Sequence, residues 1–127
     1  MVKFTLIIGK APGDEFFVGA NQNNPKPGEE LLLIERPLLD PNTNNRVGSF
    51  NARLKVMRNS GGVLLFSNNA DNELAGGVIS TQGPLRANQA TNVFAIVGGT
   101  GQYAKARGTV TLQDLPGGKE QVTFDVR

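Results

Sequence analysis

Hydrophobic and polar residues alternate along much of the chain with the two-residue period of a β-strand. The alternation is clearest over residues 46–57, where apolar side chains share one face and polar side chains the other. Even spacing, mostly short connections and the absence of a convincing helical pattern predict an all-β antiparallel barrel or sandwich. The eight predicted strands are 3–8, 29–36, 46–57, 63–67, 74–82, 91–97, 103–114 and 119–126.

Three segments are less regular than these strands. Residues 15–19 form a short apolar piece that is not counted among the eight. Residues 68–72, Asn-Asn-Ala-Asp-Asn, are polar and predict a turn. The glycine pair at 76–77, inside a predicted strand, suggests a bulge or a close backbone contact.

Length and composition limit the classes of protein. A chain of 127 residues predicts a single domain, 1–127, with a strand and loop over 1–28 before a barrel core over 29–127. The chain has no Cys and no His, so acid–base chemistry must come from Asp, Glu, Lys, Arg or Tyr, and no metal site is predicted. The net charge of +2 and the scattered basic residues argue against nucleic-acid binding.

The N-terminal segment bears on location. It has a short apolar run but neither the long hydrophobic region nor the cleavage site of a signal peptide. No stretch approaches the roughly 18 apolar residues of a membrane span. The sequence therefore predicts a soluble, cytoplasmic protein without a membrane partner, and it leaves a removed secretion signal open.

A glycine-rich segment follows the strand 91–97 and has two interpretations. Residues 99–104 fit G-x-G-x-x-A, the dinucleotide-binding fingerprint. That site needs a helix after the glycines, and Gly108 with the β-branched run behind it argues against one. The 26 residues after Gly101 are also too few for the rest of such a fold. A glycine corner between two barrel strands is the better interpretation.

The same segment resembles a known family. Residues 94–103, with Ala106-Arg107-Gly108, resemble the V-V-G-G-T-G-x-F…A-R-G-Y signature of plant dirigent proteins. They also resemble the A-V-T-G-G-S-G-x-F…G segment of allene oxide cyclases, in which a Q-G-P comparable to Gln82-Gly83-Pro84 comes first. Asp40-Pro41 followed by Val47-Gly48 resembles the D-P-L…V-G of dirigent proteins, and the likeness covers about residues 30–127.

The resemblance implies an eight-stranded antiparallel β-barrel of the allene oxide cyclase and dirigent type, with an apolar cavity. It implies that the protein is a homo-oligomer, either a dimer or a trimer. It also implies that the protein acts on a small hydrophobic substrate without a cofactor. The leading hypothesis is a cyclase or isomerase that folds a polyketide- or lipid-like intermediate for stereoselective ring closure. The alternatives are a non-catalytic dirigent-like or lipophilic-ligand-binding barrel, and a structural oligomer with a filled barrel.

Three residues are candidate catalytic groups. Glu35 loosely resembles the first-strand carboxylate of allene oxide cyclases, and burial would raise its pKa for acid–base work. The alternative is a surface carboxylate paired with Arg36 or a Lys. Asp40 matches the second Asp of the dirigent D-D-P motif, or simply forms an Asp-Pro turn. Tyr103 could donate a hydrogen bond to a substrate carbonyl, although packing after the glycines is favoured.

The candidate substrate-binding residues come from both faces of the strands. Asn51 and Arg53 point outward, where they are available to a subunit interface, if the lumen is apolar, and they line the lumen if the pattern is inverted. Asn92 lies near the place of a dirigent arginine, which argues against quinone-methide chemistry of the dirigent kind. The predicted binding residues are Phe50, Asn51, Leu54, Phe66, Ile79, Gln82, Arg86 and Phe94.

Overall fold

The chain forms nine β-strands and two single 3₁₀ turns in a computed structural model, which describes residues 2–127. The turns are Gly101–Tyr103 and Pro116–Gly118. The strands are β1 (Val2–Ile8), β2 (Glu15–Val18), β3 (Glu30–Leu39), β4 (Arg46–Ser60), β5 (Val63–Leu74), β6 (Gly77–Arg86), β7 (Thr91–Gly99), β8 (Gly108–Asp114) and β9 (Glu120–Val126).

The strands form one antiparallel sheet that closes on itself. The order is β1-β9-β8-β7-β6-β5-β4-β3-β2, and β1 also pairs with β3 through Ile7–Leu39 and Ile8–Leu38. Strand β2, which is the apolar piece predicted outside the eight, pairs with the first half of β3. The closed barrel therefore has eight strands, β1 and β3–β9, as predicted, and closure removes most of the unpaired edge.

The barrel has two ends. The mouth end carries the loops 19–29, 61–62, 87–90 and 115–119, and the closed end carries the turns 40–45, 75–76 and 100–107. The inner face is mainly apolar, and toward the closed end the rings of Phe4 and Phe124 stack with centroids 4.8 Å apart. None of the helical segments in residues 2–127 has the length and hydrophobicity of a transmembrane helix.

The predicted turn at 68–72 is wrong, because these residues lie in the middle of β5. Their backbone pairs with β4 on one side and β6 on the other, which overrides the turn preference of Asn and Asp. Asn68, Ala70 and Asn72 face inward and are buried, while Asn69 and Asp71 face outward. The two-residue period continues here with polar groups on the inner face.

A β-bulge in β3 changes which residues face the lumen. Leu33 pairs with Ala52 and Arg36 pairs with Phe50, so two residues of β3 stand opposite Asn51 alone. Glu35, the second of the two, has a φ of 50°. The inward positions are therefore odd-numbered up to Leu33 and even-numbered from Arg36 onward.

The glycine segment forms a corner at the closed end, as predicted. Gln102 N–H donates to the Gly76 carbonyl over 2.9 Å, and a Cβ on Gly77 would collide with the Thr100 carbonyl oxygen. The predicted close contact at Gly76-Gly77 is confirmed, although β6 begins only at Gly77. Strand β8 begins at Gly108 rather than at Tyr103, because the chain first completes the 3₁₀ turn. One such turn is no nucleotide-binding helix.

Candidate active site in the barrel lumen

The mouth half of the lumen contains a cavity of about 250 Å³, here called the chamber. Its walls come from β2, β3, β4, β5, β6, β8 and β9, and Ala87 of the β6–β7 loop lies at its rim. Most of the lining is aliphatic or aromatic, with four polar residues: Glu15, Arg36, Asn68 and Glu120. An apolar concavity with few convergent polar groups is the usual form of a small-molecule site.

Arg36 is the centre of the polar side of the chamber. Its side chain is 6% exposed and contacts three carboxylates from two separate parts of the chain, the adjacent pair Asp14 and Glu15 and the distant Glu120. Nη2 donates to Glu15 Oε1 over 3.3 Å, and Nη1 lies 3.7 Å from Glu120 Oε1. Nε lies 3.2 Å from Asp14 Oδ2 without pointing at it, so that contact is an ion pair rather than a hydrogen bond.

The loop between β1 and β2 is held in place by this cluster. Asp14 Oδ2 accepts a hydrogen bond from Ala11 N–H at 2.7 Å, and the Asp14 carbonyl accepts from Ile34 N–H at 2.7 Å. The bulge places Arg36 inside the barrel, and the loop brings Asp14 and Glu15 to it. The cluster is thus built by the closure of the barrel.

The site changes the proton affinity of Glu120. Burial raises the pKa of Glu120, and the nearby Arg36 guanidinium offsets part of that rise. Asp114 raises the Glu120 pKa further by charge repulsion. Lys10, a second nearby cation, lowers the Glu120 pKa, but burial is the largest cause and the net direction is upward. A raised pKa favours the protonated form of Glu120, which is the form that can donate a proton.

Two buried amides lie on the inner face beyond the chamber. Asn68 lines both the chamber and a smaller cavity of about 20 Å³, which Asn72 also lines. Asn72 Nδ2 donates to the Ile79 carbonyl over 3.2 Å. Among the groups of residues 2–127, neither Asn68 Oδ1 nor Asn72 Oδ1 has a hydrogen-bond donor.

Glu35 does not reach the lumen, and its expected burial is wrong. The bulge turns it to the outer surface, where its side chain is 59% exposed. Its Oε1 accepts a hydrogen bond from Asn51 Nδ2 at 3.0 Å, and its N–H donates to Asn51 Oδ1 over 2.8 Å. Arg46 Nη2 lies 3.9 Å from Glu35 Oε2. Glu35 is therefore a surface carboxylate, as in the alternative, but its basic partner is Arg46 and not Arg36 or a Lys.

Asp40 and Tyr103 also lie away from the chamber. Asp40 Oδ1 accepts hydrogen bonds from the N–H groups of Asn42 and Thr43, which lower the pKa of Asp40 and form the turn between β3 and β4. Tyr103 is half-buried at the glycine corner and packs against the hydrophobic core. Both placements match the structural alternatives stated for these residues.

The predicted binding residues divide between the inner and outer faces. Phe50, Leu54 and Phe66 line the chamber, and Phe94 lines the small cavity. Ile79 is fully buried in the lumen without lining either space. Three predicted residues are on the outside: Asn51 beside Glu35, Gln82 in a hydrogen bond with Asn69 at 2.7 Å, and Arg86 at the exposed end of β6.

Sequence reasoning missed Glu15, Arg36, Asn68 and Glu120 as chamber residues. Arg36 had one usable signal: if Leu33 and Leu38 both face the core, their odd spacing requires a bulge between them. Asn68 had none, because residues 63–66 are four consecutive apolar residues and 68–72 are mostly polar, so neither stretch alternates. Nothing local marks Glu15 or Glu120, which come to Arg36 from β2 and β9.

Comparison with known proteins identifies the fold. No protein-family model matches the chain, and no curated protein matches it. Among solved structures, pyocyanin demethylase superposes with a TM-score of 0.84 at 17% identity, covering 99% of this chain and 100% of that one. The pterocarpan synthase dirigent protein PsPTS1 gives a TM-score of 0.72 at 19% identity, covering 98% and 92%.

A third similar structure is the Diels–Alderase AbmU from Streptomyces koyangensis. It gives a TM-score of 0.73 at 18% identity, and the match covers 97% of this chain and 64% of AbmU. Identities this low establish the fold and not the activity. The chain therefore has the small antiparallel barrel fold of dirigent proteins and Diels–Alderase cyclases, which the glycine corner predicted.

Proposed function

We propose that the protein is a cofactor-independent cyclase or isomerase that folds a hydrophobic biosynthetic intermediate in the chamber and promotes stereoselective ring closure. The observation that carries the proposal is the convergence of Arg36, Glu15 and Glu120 on one side of an otherwise largely apolar chamber. The names of two structural neighbours, a Diels–Alderase and a pterocarpan synthase dirigent protein, accord with ring-forming chemistry.

The walls supply the first part of the mechanism. Leu31, Leu33, Phe50, Leu54 and Phe66 restrict a flexible apolar chain to few conformations, so that the entropy lost on ring closure is lost on binding. Ring closure forms bonds within one molecule and changes no atom count, so it needs no co-reactant. Shape alone therefore provides part of the rate and most of the stereoselectivity.

The polar side supplies the second part. A protonated Glu120 donates a hydrogen bond to a carbonyl or epoxide oxygen of the substrate and so draws electron density from the reacting carbons. Arg36 positions the Glu120 carboxyl and stabilises the carboxylate if the proton transfers. Asp14 and Glu15 hold the guanidinium, since a mobile Arg36 would not keep Glu120 oriented.

The alternative is a barrel that binds a lipophilic ligand, or steers a coupling performed elsewhere, without catalysis. It uses the same chamber, and the Arg36 cluster then serves only to recognise a polar group of the ligand. Cyclase and dirigent barrels share this fold, so only measurement of a rate separates the two functions.

The decisive experiment measures both binding and conversion. Linear trienes and epoxy-polyenes, each with one carbonyl, are incubated with the protein and analysed by chiral chromatography. We expect faster closure and a shifted stereoisomer ratio relative to buffer, and loss of both in the chamber-filling variant Ala52→Leu. Thr109→Leu, on the exposed outer face of β8, is the matched control. Binding without any change in rate or stereochemistry would favour the alternative, and no binding would leave only a structural role.

The outer face of β3–β7 supports a second proposal, that copies of the chain associate. Two grooves of about 350 and 600 Å³ run along it, and Ile34, Met57 and Val97 are exposed there. Arg53 and Asp71 give this face charges of both signs, so a second copy can match it. Light scattering of the purified protein should give a dimer or trimer, and Val97→Asp should lower its mass to that of the monomer.

A further inference from the structure

The two buried amides beyond the chamber, Asn68 and Asn72, are here called the polar floor. Asn68 is 4% exposed and Asn72 is 2% exposed, and both stand among apolar residues of the inner face. A buried amide oxygen without a donor costs about 1–3 kcal/mol, and leucine has nearly the same shape without that cost. The two oxygens lie on the same inner face of β5, with the small side chain of Ala70 between them, and they lack a donor among the residues that the structure describes.

The geometry shows where a donor from outside the chain enters. Phe50, Asn68 and Leu112 line both cavities, so they form the boundary between the chamber and the small space beyond it. The hydrogen bond from Asn72 Nδ2 to the Ile79 carbonyl orients the Asn72 amide. Its Oδ1 and that of Asn68 are both left free for an incoming group. The small space, about 20 Å³, admits a group of the size of a hydroxyl or a water molecule.

We infer that the polar floor is a recognition site for a hydroxyl or N–H group carried by an otherwise apolar ligand. This inference rests on the proposed function, since the ligand must first occupy the chamber. A phenol, an enol or a hydroxylated chain has the required chemistry, while a pure hydrocarbon leaves the amide oxygens unsatisfied. The polar floor thus fixes which end of a ligand enters first. Arg36 and Glu120 then act on another part of the ligand.

The test uses phenol and toluene, two probes of nearly equal shape that differ in one donor. Dissociation constants are measured by calorimetry for the wild type, Asn68→Leu and the control Asn69→Leu, whose side chain lies on the outer face. We expect the preference for phenol over toluene to fall at least about tenfold in Asn68→Leu and to stay unchanged in Asn69→Leu.

Each outcome decides a different point. Toluene binding to the wild type supports an open chamber. An unchanged preference for phenol in Asn68→Leu overturns the inference about the polar floor alone, and the two amides then bind only water. If neither probe binds the wild type, the chamber is closed and both proposals fail. If Asn68→Leu does not fold, the side-chain amide signals of Asn68 in the wild type should shift with phenol and stay in place with toluene; equal shifts overturn the inference.

Discussion

The two halves of the barrel lumen are built from the same strands and differ in what fills them. Toward the closed end, large apolar residues such as Ile79 and Phe124 are fully buried, and the Phe4 ring stacks on Phe124. Toward the mouth, the strands enclose a chamber of about 250 Å³ with a buried arginine on its wall. Stability is therefore expected to be concentrated in the closed half, and ligand chemistry in the mouth half.

The largest expected effect is on the closed half. Phe124→Ala should lower the free energy of unfolding by about 3–5 kcal/mol, because it removes a fully buried ring and leaves a void. Leu54→Ala, on the chamber wall, should cost about 2 kcal/mol, since Leu54 already borders open space. Urea denaturation measures both values. Equal losses would contradict the division of the lumen into a packed half and an open half.

The next effect tests whether the mouth half depends on its ion cluster. Arg36→Met should cost about 3 kcal/mol, because Asp14 and Glu120 would be left partly buried without their cation. Arg58→Met, at the exposed mouth end of β4, should change stability by less than about 0.5 kcal/mol. If the two variants unfold at the same urea concentration, the cluster is not a stabilising part of the chamber.

A smaller effect is expected on the pH dependence of stability, and it comes from Glu120. Its raised pKa means that the folded protein holds this proton more tightly than the unfolded chain, whose reference value is 4.5. The associated stability is present below about pH 4.5 and is lost as the pH rises through the folded pKa. Glu120→Gln lacks this loss, so its melting temperature relative to wild type should rise from about pH 4 to about pH 8. A constant difference over this range would show that Glu120 titrates normally.

The smallest effect is expected outside the barrel. Glu35→Gln should leave conversion in the chamber unchanged and alter stability by less than about 0.5 kcal/mol, because Glu35 is exposed beyond the wall. The paired variant Glu120→Gln should slow conversion in the same assay. A slower Glu35→Gln with a normal Glu120→Gln would reverse the assignment of the acid.

The bulge in β3 explains why the sequence predicted the barrel better than its site. Glu35 shares parity with Leu31 and Leu33, so a regular strand would point it inward. Pairing with β4 instead inserts one extra residue opposite Asn51, whose side chain bonds to both the backbone and the carboxylate of Glu35. The change of face is a property of two paired strands, and no local pattern within 29–36 contains it.

The sequence by itself determined the barrel and its glycine corner. Alternation is a local property that each strand carries in its own residues, and glycine is required wherever two backbones approach as closely as Gly77 and Thr100 do. Only the tertiary structure decided that Arg36 faces inward, that Asn68 lies in a strand, and that Glu15 and Glu120 meet Arg36. The pair Arg36–Glu120 joins residues 84 positions apart and exists because β1 closes the barrel onto β3, whereas Glu15 reaches Arg36 through the pairing of β2 with β3.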